Sequence, residues 1–273
     1  MQLGISSWAY PWSIGVNGYP KPTNPMTVFQ LLEQTKELDA TVLQIADNLP
    51  LDKMTSADLD ALKRDSAGMG IAIEAGTRGI EPDWLLRYLD LSLAVGAKLL
   101  RTLTQTATSK PNGQQVVAWI EQVLPRFEAA GVVIALENNE AHLPREYARF
   151  VQQIGSPSFG ICLDTANSLG TPETTAVVVE TLAPHALCLH YKEYGIARLD
   201  HRMGFHVVGR EPGKGMVDAA WVVRKVADHG RKANVILEQW PPYMGEIDSS
   251  VTMEKQWARQ GVAVLKAALA GAK

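Results

Sequence analysis

Four short apolar runs in the second half of the chain each end in a side chain that binds cations. They occupy residues 132–137, 159–164, 186–190 and 234–238, and end in Glu137, Asp164, His190 and Glu238. A run this short and this apolar, bounded by turn formers, suits a strand buried on both faces. The four end residues are spaced 27, 26 and 48 positions apart, which leaves room for a loop, a helix and a return between strands. Parallel strands joined this way bring their C-terminal ends to one edge of the sheet. Three carboxylates and an imidazole would then meet at one rim, where they repel and desolvate one another unless a cation lies between them. Each residue taken singly is equally well read as a helix cap or a solvated loop residue; the pattern across four consecutive units is what argues for a metal site.

The same alternation runs through the whole chain. Strand-like runs at 2–7, 41–46, 71–75 and 98–103 precede the four above. Helical patterns are expected at 27–38, at 55–68 behind the capping-box-like Thr55-Ser-Ala-Asp58, and at 82–95 with Gly96 as the stop. Further helices are expected at 114–130 with a bend at Pro125, at 145–154, at 173–182 with Thr171 as cap, at 218–229 and at 252–268. A long loop, 8–25, carries Trp8, Tyr10, Trp12 and Tyr19. Eight βα units without a linker predict a single (β/α)8 TIM barrel over residues 1–273, with its site at the C-terminal rim of the strands. A doubly wound open sheet is the competing architecture, but the turn Gly4-Ile-Ser-Ser-Trp8 lacks the glycine-rich phosphate signature.

Composition narrows the partners. With 46% hydrophobic residues the chain can bury a large core, and a net charge of −3 offers no basic field for nucleic acid or an anionic membrane. No charged leader precedes an apolar stretch, and no apolar run is long enough to span a bilayer, so a cytoplasmic protein is expected. The two cysteines, Cys162 and Cys188, fall inside predicted strands and read as packing thiols. The oligomeric state is open, a homo-oligomer included.

Oxygen and imidazole ligands without thiolate favour one divalent ion of the Mg²⁺, Mn²⁺ or Co²⁺ kind, with Zn²⁺ a further candidate. Such an ion polarises a sugar carbonyl and stabilises an enediolate, while carboxylates on either side move protons. Leu136-Glu-Asn138, Leu163-Asp-Thr-Ala-Asn167, Leu189-His-Tyr-Lys192, Gly213-Lys-Gly-Met-Val-Asp218 and Leu237-Glu238 resemble the sugar phosphate isomerase/epimerase family of xylose isomerase-like barrels over essentially the whole chain. The resemblance implies Glu137, Asp164, His190 and Glu238 as metal ligands, with Glu137 and Glu238 doubling as the acid/base pair. The family's apurinic endonuclease branch is set aside, because the predicted second and third strands end in Ala46-Asp-Asn48 and Ala75-Gly-Thr-Arg78 with no histidine, and the charge is acidic.

Substrate contacts are expected from Lys192, from Arg202, His206 and Arg210 in a polar loop after the seventh strand, from Trp8 in the first loop, and from Glu74 and Arg101 at the ends of the third and fourth strands. The leading expectation is a metal-dependent sugar isomerase or ketose 3-epimerase working through a metal-bound enediolate. The alternative is a carboxy-lyase of a 3-oxo sugar acid such as 3-oxo-isoapionate, whose loss of CO₂ generates the same kind of enolate. Gly4-Ile-Ser-Ser-Trp8, Gln44-Ile-Ala-Asp-Asn-Leu-Pro50 and Gly76-Thr-Arg-Gly-Ile-Glu-Pro82 resemble the oxo-isoapionate decarboxylases more than the epimerases. A third reading is a sugar-binding barrel with a vestigial site.

Overall fold

A computed structural model describes residues 1–272. In chain order the elements are β1 (Leu3–Ser6), α1 (Pro11–Ile14), α2 (Val28–Glu37), β2 (Val42–Ile45), α3 (Ser56–Met69), β3 (Ala72–Gly76), α4 (Pro82–Val95) and β4 (Leu99–Thr102). There follow α5 (Gly113–Ala130), β5 (Val133–Glu137), α6 (Pro144–Ile154), β6 (Phe159–Asp164), α7 (Thr175–Leu182), β7 (Ala186–Tyr191), β8 (Tyr194–Arg198), β9 (Phe205–Gly209), α8 (Ala219–Asp228), β10 (Asn234–Leu237) and α9 (Ile247–Gly271). Eight parallel strands close in the order β1-β10-β7-β6-β5-β4-β3-β2, so the chain is a single (β/α)8 barrel. Among the described residues no helix is long and apolar enough to cross a membrane.

Local chemistry sets most of the boundaries. Thr27, Thr55 and Asn112 each close a capping box, satisfying N–H groups that the first helical turn leaves without partners. Helices α4 and α5 end where Gly96 and Gly131 take left-handed φ values of 76° and 64°, a conformation a Cβ resists. Helix α5 continues through Pro125.

Four expectations need correction. Helix α7 is capped by Thr174 rather than Thr171; the Thr171 hydroxyl donates to the Ser168 carbonyl at 2.7 Å and accepts from the Glu173 N–H at 3.3 Å, within the turn before the helix. Helix α9 begins five residues before the expected start at 252. Residues 194–209 hold an antiparallel hairpin, β8–β9, where a loop was expected, and the first loop contains the short helix α1.

Side chains two apart on a strand share a face, and this rule builds the barrel interior. Val42, Leu99, Ala135, Cys162, Cys188 and Ile236 form one apolar layer, separate from the main core between strands and helices. Both cysteines are free and buried there. Each of these six residues lies two positions before a polar one: Gln44, Arg101, Glu137, Asp164, His190 and Glu238. The polar layer thus rests on a mainly apolar floor, interrupted by the Glu74 carboxylate 3.8 Å from Cys188 Sγ. Gly4 belongs to the same floor, since a Cβ there would approach Ile236 Cδ1 to 2.4 Å and Val42 Cβ to 2.9 Å.

The first loop is tied down by the last helix. Glu254 of α9 accepts the backbone N–H groups of Trp12 at 2.7 Å and Ser13 at 2.6 Å, and Gln239 donates to the Ala9 carbonyl at 2.6 Å. Burial pushes the Glu254 carboxyl from 4.5 up to about 7, although those N–H donors oppose it. A folded-state pKa above the unfolded one means that the native state holds the extra proton. Its contribution is therefore greatest below about pH 4.5 and is lost as pH rises through about 7, a change of about 3 kcal/mol. Denaturant unfolding followed from pH 5 to 8 should show a steeper loss of stability in the natural protein than in Glu254→Gln. Parallel pH profiles would refute this.

Candidate active site

At the C-terminal rim four residues at or beside the ends of β5, β6, β7 and β10 meet. One ligand atom from each of Glu137, Asp164, His190 and Glu238 lies within 4.8 Å of all the others, and all four side chains are buried. His190 Nδ1 is 3.5 Å from Glu137 Oε2, 3.7 Å from Asp164 Oδ2 and 3.3 Å from Glu238 Oε1. Donor atoms about 2.1 Å from a shared ion stand about 3.0 to 3.4 Å apart, so these strands need little movement to hold one. Asp164 Oδ2 and His190 Nδ1 accept no hydrogen bond, although Lys192 Nζ lies 3.0 Å from that oxygen in an unaligned ion pair. Two buried acceptors aimed at one point, with hard oxygen and imidazole donors around them, fit a divalent cation.

Neighbouring side chains hold each ligand in place. Asn138 brackets Asp164, accepting from its N–H at 2.7 Å and donating to its carbonyl at 3.0 Å. Asp164 Oδ1 caps the following turn through the N–H groups of Ala166 and Asn167, at 2.8 and 2.7 Å. Ser6 donates to Glu238 Oε1 at 2.8 Å, and Asn167 Nδ2 to Glu137 Oε1 at 2.5 Å. Arg101 Nε donates to Glu137 Oε2, while Arg101 Nη1 reaches Asp47 Oδ1 at 3.2 Å and the Thr77 carbonyl at 3.1 Å. Lys192 Nζ lies 2.9 Å from Glu238 Oε2 and 3.1 Å from Asn167 Oδ1. Thr165 fixes the Lys192 backbone by two 2.9 Å hydrogen bonds.

The electrostatics follow from this crowding. Burial lowers the His190 imidazole, but Glu238, Glu137 and Asp164 outweigh it and hold the ring well above an ordinary histidine. Burial also raises Glu137, with Arg101 and His190 opposing it only in part. For Asp164 and Glu238 burial is overcome by Lys192 and His190, and both carboxyls fall below the usual range. The cluster favours positive charge at its centre.

Above the cluster lies a cleft of about 160 Å³, lined by Trp8, Arg78, Arg101, Leu103, Asn167, Lys192, Glu238 and Trp240. It has room only for a small molecule. A cleft of about 570 Å³ between α5 and α6 lies on the outer face; it adjoins none of the four cluster residues and carries no comparable chemistry. Asp47 ties the wall of the small cleft together, accepting from Trp8 Nε1 at 3.1 Å and Arg78 Nε at 3.2 Å as well as from Arg101. Lys192 Nζ stands 5.0 Å from the Trp240 ring centre, a cation–π contact.

Of the expected substrate contacts, Trp8, Arg101 and Lys192 face the cleft. Glu74 does not. It lies mid-strand on β3 inside the barrel, where its carboxylate accepts from Gln44 and Asn234. Arg202, His206 and Arg210 are carried on the hairpin and at its base, exposed, and none lines the cleft. Tyr10 is buried in the main core, and Trp12 meets Tyr19 edge-on and Tyr243 at a tilt; neither lines the cleft. Alanine at Arg202 or His206 is therefore expected to change kcat/KM by no more than about twofold, the ordinary scale of an exposed substitution. A tenfold rise in KM would mean that the hairpin closes over the substrate. Missing from the expected set are Ser6, Asp47 and Asn167, which hold the ligands or the cleft wall.

Comparison with known proteins adds four likenesses. The family model for the xylose isomerase-like TIM barrel matches residues 70–268. A 3-oxo-isoapionate decarboxylase of Pectobacterium atrosepticum is 32% identical over 262 residues, which are 96% of this chain and 94% of the relative. Among solved structures, D-psicose 3-epimerase of Clostridium cellulolyticum H10 superposes with a TM-score of 0.73 at 18% identity, covering 100% of both chains. A xylose isomerase-like barrel from Mycobacterium smegmatis, solved in complex with magnesium, superposes with a TM-score of 0.70 at 13% identity, covering 98% of this chain and 97% of that one.

Proposed function

The chain belongs to the xylose isomerase-like TIM barrel family, and from that premise we propose that it is a divalent-metal-dependent carboxy-lyase acting on a small 3-oxo sugar acid. The observation that carries the proposal is the charge of the cleft. Asp47, Glu137, Asp164 and Glu238 bring four negative charges, and Arg78, Arg101 and Lys192 bring three positive ones. A divalent ion would leave one positive charge in excess. A substrate carboxylate neutralises that excess, whereas an uncharged ketose leaves it unpaired. The 32% identity to a 3-oxo-isoapionate decarboxylase over nearly the full length supports the same reading.

Glu137, Asp164, His190 and Glu238 would hold the ion, which when bound supplies Lewis-acid polarisation of a carbonyl oxygen. Arg78, whose Nε is spent on Asp47, keeps its terminal nitrogens for the substrate carboxylate and orients it. Trp8 and Trp240 border the cleft and limit water. The bond between the carboxylate and the α-carbon breaks, its electron pair passes to the 3-oxo oxygen as an enolate, and CO₂ departs. Lys192 Nζ, 3.0 Å from Asp164 Oδ2 and 2.9 Å from Glu238 Oε2, donates a proton to the α-carbon, and solvent restores it.

A second reading, isomerisation or 3-epimerisation, draws on the placement of Glu137 and Glu238 across the cluster, with β6 and β7 between their strands. Two bases on opposite faces suit that chemistry. Against it, all four oxygens of the pair are already engaged, by Arg101, Asn167, Ser6 and Lys192, which weakens both as bases. Metal-loaded protein incubated with 3-oxo sugar acids and with free ketoses in D₂O separates the two. CO₂ release with unlabelled remaining substrate is expected. Deuterium in recovered ketose without CO₂ would establish the epimerase instead.

A further inference from the structure

His190 presents Nδ1 to the cluster, and the residues that hold it so lie beside and beneath it, inside the barrel. His190 Nε2 is 2.7 Å from Gln44 Oε1. Gln44 Nε2 donates to Glu74 Oε2 at 3.0 Å, and Asn234 Nδ2 donates to Glu74 Oε1 at 2.7 Å. Asn234 Oδ1 in turn accepts the backbone N–H of Gln2 at 3.3 Å. Gln44, Glu74 and His190 are all buried.

Each amide in this string is oriented by its neighbours. A backbone N–H only donates, so Asn234 must turn its oxygen to Gln2 and its NH₂ to Glu74. With both carboxylate oxygens of Glu74 accepting, Gln44 must also present its NH₂ there, which leaves its oxygen facing the imidazole. A ring nitrogen opposed to a carbonyl oxygen carries the hydrogen. In the neutral ring, the form that binds a metal, the lone pair is thereby placed on Nδ1, the buried atom that has no hydrogen-bond partner and faces three carboxylates. Burial pushes the Glu74 carboxyl upward, and the two amide donors oppose it. An apolar pair would fill this part of the barrel without the desolvation that three buried polar side chains cost.

We infer that Gln44 and Glu74 are positioning residues that lock His190 in the tautomer able to bind a divalent ion through Nδ1. Strands β2 and β3, which supply no ligand, thus serve the metal site from below. The inference rests on the metal-site reading, and its test keeps the two apart.

Protein stripped of metal is titrated with Mn²⁺ against a chromophoric chelator, comparing the natural chain with Gln44→Met and with the exchanged pair Gln44→Glu/Glu74→Gln. Methionine fills the space but offers no strong acceptor; the exchanged pair keeps an oxygen toward Nε2, an NH₂ between residues 74 and 44, and an acceptor for Asn234. Gln44→Met is expected to lose about tenfold to a hundredfold in Mn²⁺ affinity, the cost of removing a hydrogen-bond partner of a metal-bound histidine. The exchanged pair should recover most of it. Two-bond ¹H–¹⁵N spectra of histidine-labelled, Zn²⁺-loaded natural protein should show His190 protonated on Nε2, and this readout decides the matter even if Gln44→Met fails to fold. Unchanged Mn²⁺ affinity in Gln44→Met, or a proton on Nδ1, overturns the inference while leaving the metal site intact. Failure of the natural protein to bind Mn²⁺ overturns both.

Discussion

Asp164→Asn is expected to lose the divalent ion and to slow turnover about a thousandfold, the scale on which removing one preorganised charge from an active site is felt. The substitution is isosteric, and its local structural cost is small. Asp164 Oδ1 caps the following turn through two backbone N–H groups, and an asparagine oxygen does the same. Asn138 holds the residue's backbone in either case. What changes is the other atom. Oδ2, which accepts no hydrogen bond and lies 3.7 Å from His190 Nδ1 and 3.0 Å from Lys192 Nζ, becomes an NH₂ aimed at the imidazole and an ammonium. It can no longer bind a cation, and it faces one. Elemental analysis of gently purified protein, together with turnover on a 3-oxo sugar acid, reads both effects. A variant that keeps one ion per chain and near-natural turnover would remove Asp164 from the ligand set, and with it the account of the cluster given above.

The barrel and the convergence of these four residues are legible in the sequence for one physical reason. Strands buried on both faces read as unbroken apolar runs, so a charged residue ending such a run stands out, as Glu137, Asp164 and Glu238 do. Residues that hold the ligands give a weaker signal. Gln44 lies inside its run and Ser6 near the end of another, both polar without being conspicuous. Only the period-two rule, counted from Val42 and Gly4 on the interior floor, places them in the ligand layer. The same rule corrects Glu74, whose carboxylate belongs to the barrel interior rather than the cleft. Asn167 lay within the motif beginning at Leu163, but its role depends on the turn that Asp164 caps, which spacing alone does not reveal. The hairpin β8–β9 escaped because Ile196, Phe205 and Val207 are all exposed. A strand pair without a buried face has no clean alternation to read.

Lys192→Met should move metal affinity and turnover in opposite directions. Lys192 Nζ lies between Asp164 Oδ2 and Glu238 Oε2, so its charge competes with a divalent ion for the same two carboxylates. Burial lowers its pKa, but Asp164, Glu238 and Glu137 raise it further, and the ammonium stays charged. Removing that charge leaves the carboxylates unpaired, and the metal-stripped variant should bind Mn²⁺ more tightly than the natural protein. Methionine retains the apolar length of the side chain against Trp240, which keeps the wall of the cleft in place. Decarboxylation should nevertheless fall about a hundredfold to a thousandfold, because the enolate loses both a neighbouring positive charge and its proton donor. A general disturbance of the site would weaken metal binding and turnover together. Tighter Mn²⁺ binding with slower CO₂ release is therefore the signature that separates a chemical role for Lys192 from a structural one. Turnover within about threefold of the natural enzyme, well short of the hundredfold or more expected of a missing proton donor, would show that the proton comes from elsewhere in the cleft.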